Sequence, residues 1–188
     1  MKQIILKFLL LFIITFGAVA TEPDTILWRS DLKLTWKDFK GTKFSSGSSV
    51  ASTAYSISLN WFTDNRRDSA TVIIKTIFLK NQSWVKLSGK NDYVLAHEQG
   101  HLDLAEVYAR KFRKALQNKS CSKKNVGIGI NNLYDEISTE LDRQQNLYDL
   151  ETRHSIKEKE QGEWLEKINK QLIDLKAFEQ HEVKIKLK

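Results

Sequence analysis

Apolar and polar residues alternate in the first half of the chain and recur with helical spacing in the second. Tyr55, Ile57, Leu59 and Trp61 hold every other position, and so do Val72, Ile74, Thr76 and Phe78. Successive side chains of a strand point to opposite faces, so each run predicts a half-buried strand. The polar stretch Thr63 to Ser69 between them makes an antiparallel hairpin the economical reading. Trp28, Leu32, Leu34 and Trp36 predict a strand entering a turn at Trp36-Lys37-Asp38-Phe39-Lys40-Gly41. Phe44 to Val50 is rich in Ser and Gly and reads as a loop, while Trp84, Val85 and Leu87 suggest a short third strand.

After Ser88-Gly89-Lys90 the period changes. Val94, Leu95, Leu102, Ala105, Tyr108, Phe112 and Leu116 keep helical spacing, which predicts a helix ending near Leu116 or Gln117. Asn91 can cap its first turn, and Asp92 places a negative charge at the positive end of the helix dipole. Asn118 to Gly129 is a polar loop, and Leu133, Ile137 and Leu141 predict a second helix over roughly Asn131 to Asn146. Trp164, Leu165, Ile168, Leu172 and Leu175 mark a third, charged on its outer face, and the tail after Phe178, His181 included, is expected to fray. Strands first and helices second imply an α+β domain. Its small antiparallel sheet, from the N-terminal half, packs on the first helix and on two further C-terminal helices.

Composition narrows the setting. A chain of 188 residues with 41% hydrophobic and 10% aromatic residues suits one folded domain. Met1 to Ala20 has a basic start, an apolar run from Phe8 to Phe16 and the small residues Ala18-Val19-Ala20, the layout of a secretory signal peptide. The run is short for a membrane span. The expected division is a signal peptide over 1–20 and a single domain over 21–188, exported to the periplasm or beyond, with no stable membrane span after cleavage. The net charge of +7 is spread among many acidic residues, and no phosphate-cradling or stacked-aromatic motif accompanies it. That excludes a nucleic-acid groove and leaves a weak preference for anionic surfaces, cell wall among them. The single cysteine, Cys121, rules out an intrachain disulfide and reads as a tolerated thiol.

The chemistry concentrates in His97-Glu98-Gln99-Gly100-His101, on the first predicted helix. Histidines at i and i+4 share one face and can reach a single ion, and a glutamate after the first can take a proton from a metal-bound water. Zinc with three protein ligands and one open position is the catalytic arrangement, so one ligand must come from elsewhere. The extended pattern with a third histidine fails, because Leu104 and Val107 stand where its glycine and histidine belong. Glu136, Asp149 and His154 remain as third ligands, Asp149 also as a carboxylate orienting a ligand imidazole, and Tyr148 is a candidate to stabilise an oxyanion. Glycine inside a helix costs about 1 kcal/mol relative to alanine, so Gly100 suggests a close approach by a neighbour.

Leu34-Thr35-Trp36-Lys37-Asp38-Phe39-Lys40-Gly41, then His97 to Glu106, then Tyr148-Asp149 with Thr152 and His154, then Gln161 and Trp164, resemble in order the blocks of a bacterial family. That family is known as domain of unknown function 922, described as predicted secreted zinc-dependent proteases, and the resemblance covers essentially the whole chain after residue 20. It implies a zincin-like fold around the active-site helix. It also implies one Zn²⁺ per chain on His97, His101 and, by preference, His154, with Glu98 as base. The implied activity is an exported metallopeptidase that hydrolyses peptide bonds of peptide, protein or cell-wall substrates by Glu98-assisted attack of a zinc-bound water. The competing expectation is a secreted metal-binding or cell-envelope interaction module without hydrolytic activity. Members of the family usually carry glycine after the histidine of the third block, where this chain has Ser155.

Overall fold

Alternation in the first half does build strands, and the longest of them organises the sheet. In a computed structural model, residues 24–42, 49–64, 66, 68–119 and 121–188 are described. The expected signal peptide and most of the expected loop from Phe44 lie outside these residues. The order is β1 (Thr25–Leu27), β2 (Ala51–Ser52), β3 (Tyr55–Thr63), β4 (Ser69–Leu79), β5 (Trp84–Val85), α1 (Asp92–Gln117), α2 (Val126–Thr152), α3 (Glu158–Asp174) and β6 (Glu182–Lys186). The fold is α+β, with strands mostly N-terminal and helices C-terminal.

Strands β3 and β4 form the expected hairpin, in register from Tyr55 opposite Phe78 to Thr63 opposite Ala70. On the other side of β4 two short strands share its length. β1 pairs with one end, Thr25 opposite Leu79, and β6 with the other, Ser69 opposite Lys186, all antiparallel. Ala70, Val72, Ile74, Thr76 and Phe78 are buried, one face of the pleat. Three of them join Leu104, Ala105, Tyr108 and Phe112 of α1 in the main core, which α2 and α3 close with Ile130, Leu141, Tyr148, Trp164 and Ile168. Burying each large apolar side chain contributes roughly 1.5–3 kcal/mol, so this layer holds α1 against the sheet.

Four elements depart from the pattern reading. The alternation from Trp28 to Trp36 is not a strand: Leu34 N–H donates to the Gln99 side chain and Trp28 Nε1 to Asp103. Both partners are side chains of α1, so the segment is a strap whose apolar residues pack on Phe78 and Leu102. β5 pairs with β2 in a separate two-stranded ladder, not with the hairpin, and Leu87 lies in a short 3-10 turn. α2 is longer at both ends than expected, which carries Tyr148 and Asp149 onto the helix. The tail does not fray: Val183 and Ile185 are buried on alternate positions of β6 while Glu182, Lys184 and Lys186 face solvent.

A charged cluster ties this return strand down. Glu106, Arg110 and Arg113 are all buried on α1. Glu106 accepts from Arg110 Nε at 3.0 Å, Arg113 at 3.0 Å and the Thr76 hydroxyl at 2.7 Å. The arginines also donate to the backbone carbonyls of Leu172, Phe178 and Ile74. Pairing offsets the cost of burying the charges because these hydrogen bonds also engage both terminal nitrogens of Arg113, while its Nε has no partner among the described residues.

Candidate metal centre

Helix α1 starts where Asn91 accepts a hydrogen bond from Val94 N–H at 2.8 Å, the capping that the sequence suggests. One and a half turns on, His97 projects from the face opposite the strap, followed by His101 a turn later. Their Nε2 atoms lie 3.1 Å apart. Asp149 approaches from α2, its Oδ1 3.1 Å from His97 Nε2 and 3.2 Å from His101 Nε2. The three ligand atoms all fall within 4.8 Å of one another, close enough to hold one metal ion.

This convergence depends on two helices meeting closely. A Cβ at Gly100 would stand 2.6 Å from the Tyr148 hydroxyl and 3.0 Å from a methyl of Leu165. Glycine is therefore what lets α2 and α3 reach α1 at this level. Tyr148 stacks on His97 with ring centroids 4.5 Å apart, and its hydroxyl reaches toward the His97 carbonyl at 3.4 Å. It is fully buried behind the histidines and does not line the cavity, so the oxyanion role expected of it is replaced by packing. Burial first, then the Glu98 and Asp149 charges, push its hydroxyl pKa well above the ordinary value.

Electrostatics says what a cation would do among the three groups. Two imidazole nitrogens and a carboxylate oxygen at 3.1–3.2 Å separations are all acceptors when the rings are neutral. Their lone pairs repel unless a proton or a metal ion sits between them. Tetrahedral zinc with ligands at about 2.0–2.2 Å holds its donors roughly 3.3–3.6 Å apart, so this donor set fits that ion after each pair opens by a few tenths of an ångström. Burial lowers the His101 pKa, but the Asp149 hydrogen bond, the charges of Glu98 and Asp149, and Gln145 outweigh it and raise the pKa above its ordinary value. Burial likewise opposes ionisation of Asp149, yet the bonds from His101 and His97 hold its carboxyl well below the usual range.

The histidine pair opens into a cavity of about 260 Å³, walled on one side by Ser49 to Thr53 and Tyr55 and on the other by α1 and the end of α2. Glu98 lines it while only 4% exposed, and its Oε2 has no hydrogen-bond partner among the described residues. A buried carboxylate oxygen left this way is costly unless water or another group in the cavity completes it.

His154 is placed differently from the other candidates. It lines the cavity, its side chain 58% exposed, and its Nδ1 lies 3.1 Å from Asp149 Oδ1, but it falls outside the three-residue group. Glu136 is exposed and lies 13 residues before Asp149 on α2, about 20 Å along the helix axis, out of reach as a ligand. Arg153, His154 and Ser155 follow α2 with φ of 49°, 50° and 68°, three consecutive non-glycine residues in the left-handed region. Ser155 thus occupies a conformation that favours glycine.

Gln145, which the sequence reading passed over, belongs to the site. It lies one turn before Asp149 on the same face of α2, contacts His101 Nδ1 at 2.6 Å and donates to the His101 carbonyl at 2.9 Å. The i, i+4 spacing of Gln145 and Asp149 repeats that of the histidines, a signal hidden by ending the predicted helix at Asn146. Burial pushes the nearby Tyr55 hydroxyl up to about 12, with the Asp142 charge adding to it, so it is a neutral donor at ordinary pH.

Comparison with known proteins yields no match among curated proteins and none among solved structures. Residues 32–155 match the family described as "Bacterial protein of unknown function (DUF922)", a span reaching from the strap through α1 to the left-handed turn. With most of its length in that match, and with part of the strap, the two histidines and Asp149 inside it, the chain belongs to the DUF922 family.

Proposed function

We propose that this protein is an exported zinc-dependent metallopeptidase. The observation that carries the reading is the convergence of His97, His101 and Asp149 beside the unpartnered carboxylate of Glu98 at the floor of an open cavity. In this reading His97, His101 and Asp149 hold one Zn²⁺, and His154 orients Asp149 through its Nδ1 instead of serving as the third ligand. Zinc would supply Lewis acidity that polarises the scissile carbonyl and acidifies the attacking water. Glu98 accepts the proton of that water through Oε2 and hands it to the leaving amine. The stretch from Ser49 to Thr53 walls the cavity where an extended substrate would lie. Peptides, proteins and cell-wall cross-links are the substrate classes that suit such a cleft, reached after export through the N-terminal signal segment.

Metal analysis and cleavage assays on the purified chain test this. The expected result is one zinc per chain, with cleavage of peptide or cell-wall substrates that Glu98→Gln abolishes while zinc is retained. Glu98→Gln cleaving at the wild-type rate would remove the mechanism. Stoichiometric zinc with no turnover on any substrate would favour a metal-binding envelope module, and a chain without zinc under replete conditions would end both readings.

A further inference from the structure

The Gln145 side chain spends both ends of its amide on His101. The His101 carbonyl oxygen can only accept, so the amide atom 2.9 Å from it must be the NH₂ group. The other end is then the carbonyl oxygen, which also only accepts and stands 2.6 Å from His101 Nδ1. Nδ1 must therefore carry the hydrogen, and in the neutral ring the lone pair belongs to Nε2, the atom facing His97 and Asp149. The assignment follows from hydrogen-bond capacity alone.

His97 has no such device. Its Nδ1 is buried without a hydrogen-bond partner among the described residues, and stacking on Tyr148 fixes its plane. We propose that Gln145 is the positioning residue of this site: by clamping His101 at Nδ1 and at its backbone carbonyl, it fixes the Nδ1–H tautomer and aims the Nε2 lone pair into the cluster. Gln145 lines the cavity beside Tyr55, and the two hydrogen bonds that define its role both go to His101. Its effect on metal affinity rests on the zinc reading; its effect on the tautomer does not.

The test is nitrogen-15 NMR of the histidine rings in the metal-free chain at alkaline pH, where long-range couplings distinguish the two neutral tautomers. Wild type should show His101 as the Nδ1–H form. Gln145→Met, similar in volume but without either polar end, should shift it toward Nε2–H, and Gln145→Glu, which keeps an acceptor, should restore Nδ1–H. Zinc affinity by chelator competition should fall about 10–100-fold in Gln145→Met. The Glu variant should recover most of that affinity. Wild-type His101 in the Nε2–H form overturns the proposal without recourse to any variant, and so does a Met variant that retains the Nδ1–H form. A wild type that binds no zinc while its tautomer follows residue 145 upholds the positioning role and removes the metal reading instead.

Discussion

Gly100 and Tyr148 meet with no room for a methyl group: a Cβ on the glycine would lie 2.6 Å from the tyrosine hydroxyl. The contact sits one residue before His101 and one before Asp149, so whatever spreads the helices here also spreads the ligand atoms. Gly100→Ala should destabilise by about 1–3 kcal/mol, as overpacked cores do, and should weaken zinc binding as well. Adding Tyr148→Phe should recover part of both losses. Gly162→Ala is the control: nothing lies within 4 Å of its Cβ, and the same change there should stabilise α3 by about 1 kcal/mol. Chemical denaturation and chelator competition on the three variants measure both effects.

Asp149 and His154 make opposite predictions as third ligand. With Asp149 inside the three-residue group and His154 outside it, Asp149→Ala should lose stoichiometric zinc, as His97→Ala and His101→Ala should. His154→Ala should keep it with an affinity lowered about 10-fold, the usual cost of losing a group that orients a ligand. Metal content after gel filtration decides the order; zinc lost from His154→Ala and kept in Asp149→Ala would restore the histidine as ligand.

The raised His101 pKa makes the metal-free chain sensitive to alkali. A group whose folded pKa lies above its ordinary 6.5 contributes stability that is complete below that value and lost as pH climbs through the folded one. Asp149 runs the other way: its contribution is present above about 3.8 and lost only in strong acid. In chelator the thermal midpoint should therefore fall as pH rises above about 6.5. Zinc replaces the proton, so its affinity should rise over the same interval. Midpoints that climb with pH in chelator would contradict the protonated His101–Asp149 pair.

Ser155, at φ of 68°, holds a left-handed turn without the amino acid best suited to it. Relief of left-handed strain outweighs the added backbone entropy of glycine, so Ser155→Gly should raise stability by about 1 kcal/mol. Ser155→Val should do the reverse, because a β-branched side chain tolerates that region least. Urea denaturation of the two variants tests the sign of each.

Arg113→Met would leave Glu106 with one fewer partner in a fully buried cluster and release the carbonyls of Ile74 and Phe178. The expected loss is about 3–5 kcal/mol, with β6 becoming the first segment to exchange its amide hydrogens. Uniform exchange across the sheet would show that the cluster does not anchor the strand.

Local periodicity was enough for the hairpin from Tyr55 to Phe78, the cap at Asn91 and the helix carrying His97, Glu98 and His101. Those features follow from interactions between near neighbours along the chain, and a period of two or of nearly four is their direct trace. Trp28 to Trp36 alternates like a strand, yet it is a strap because its polar partners are Gln99 and Asp103, more than sixty residues away. The alternation of Val183 and Ile185 became a strand only because one half of β4 had a free edge and Arg113 held the chain beside it. The site shows the same division. Sequence alone determined two histidines and a glutamate on one helical face, and it determined the candidates for the third position without ranking them by geometry. Tertiary structure separated them in space, since only the packing of α2 across Gly100 brings Asp149 and Gln145 to the histidines, leaves Glu136 in solvent and turns Tyr148 inward. Distance between residues remote in sequence is set by helix packing, and no pattern of letters along one helix encodes it.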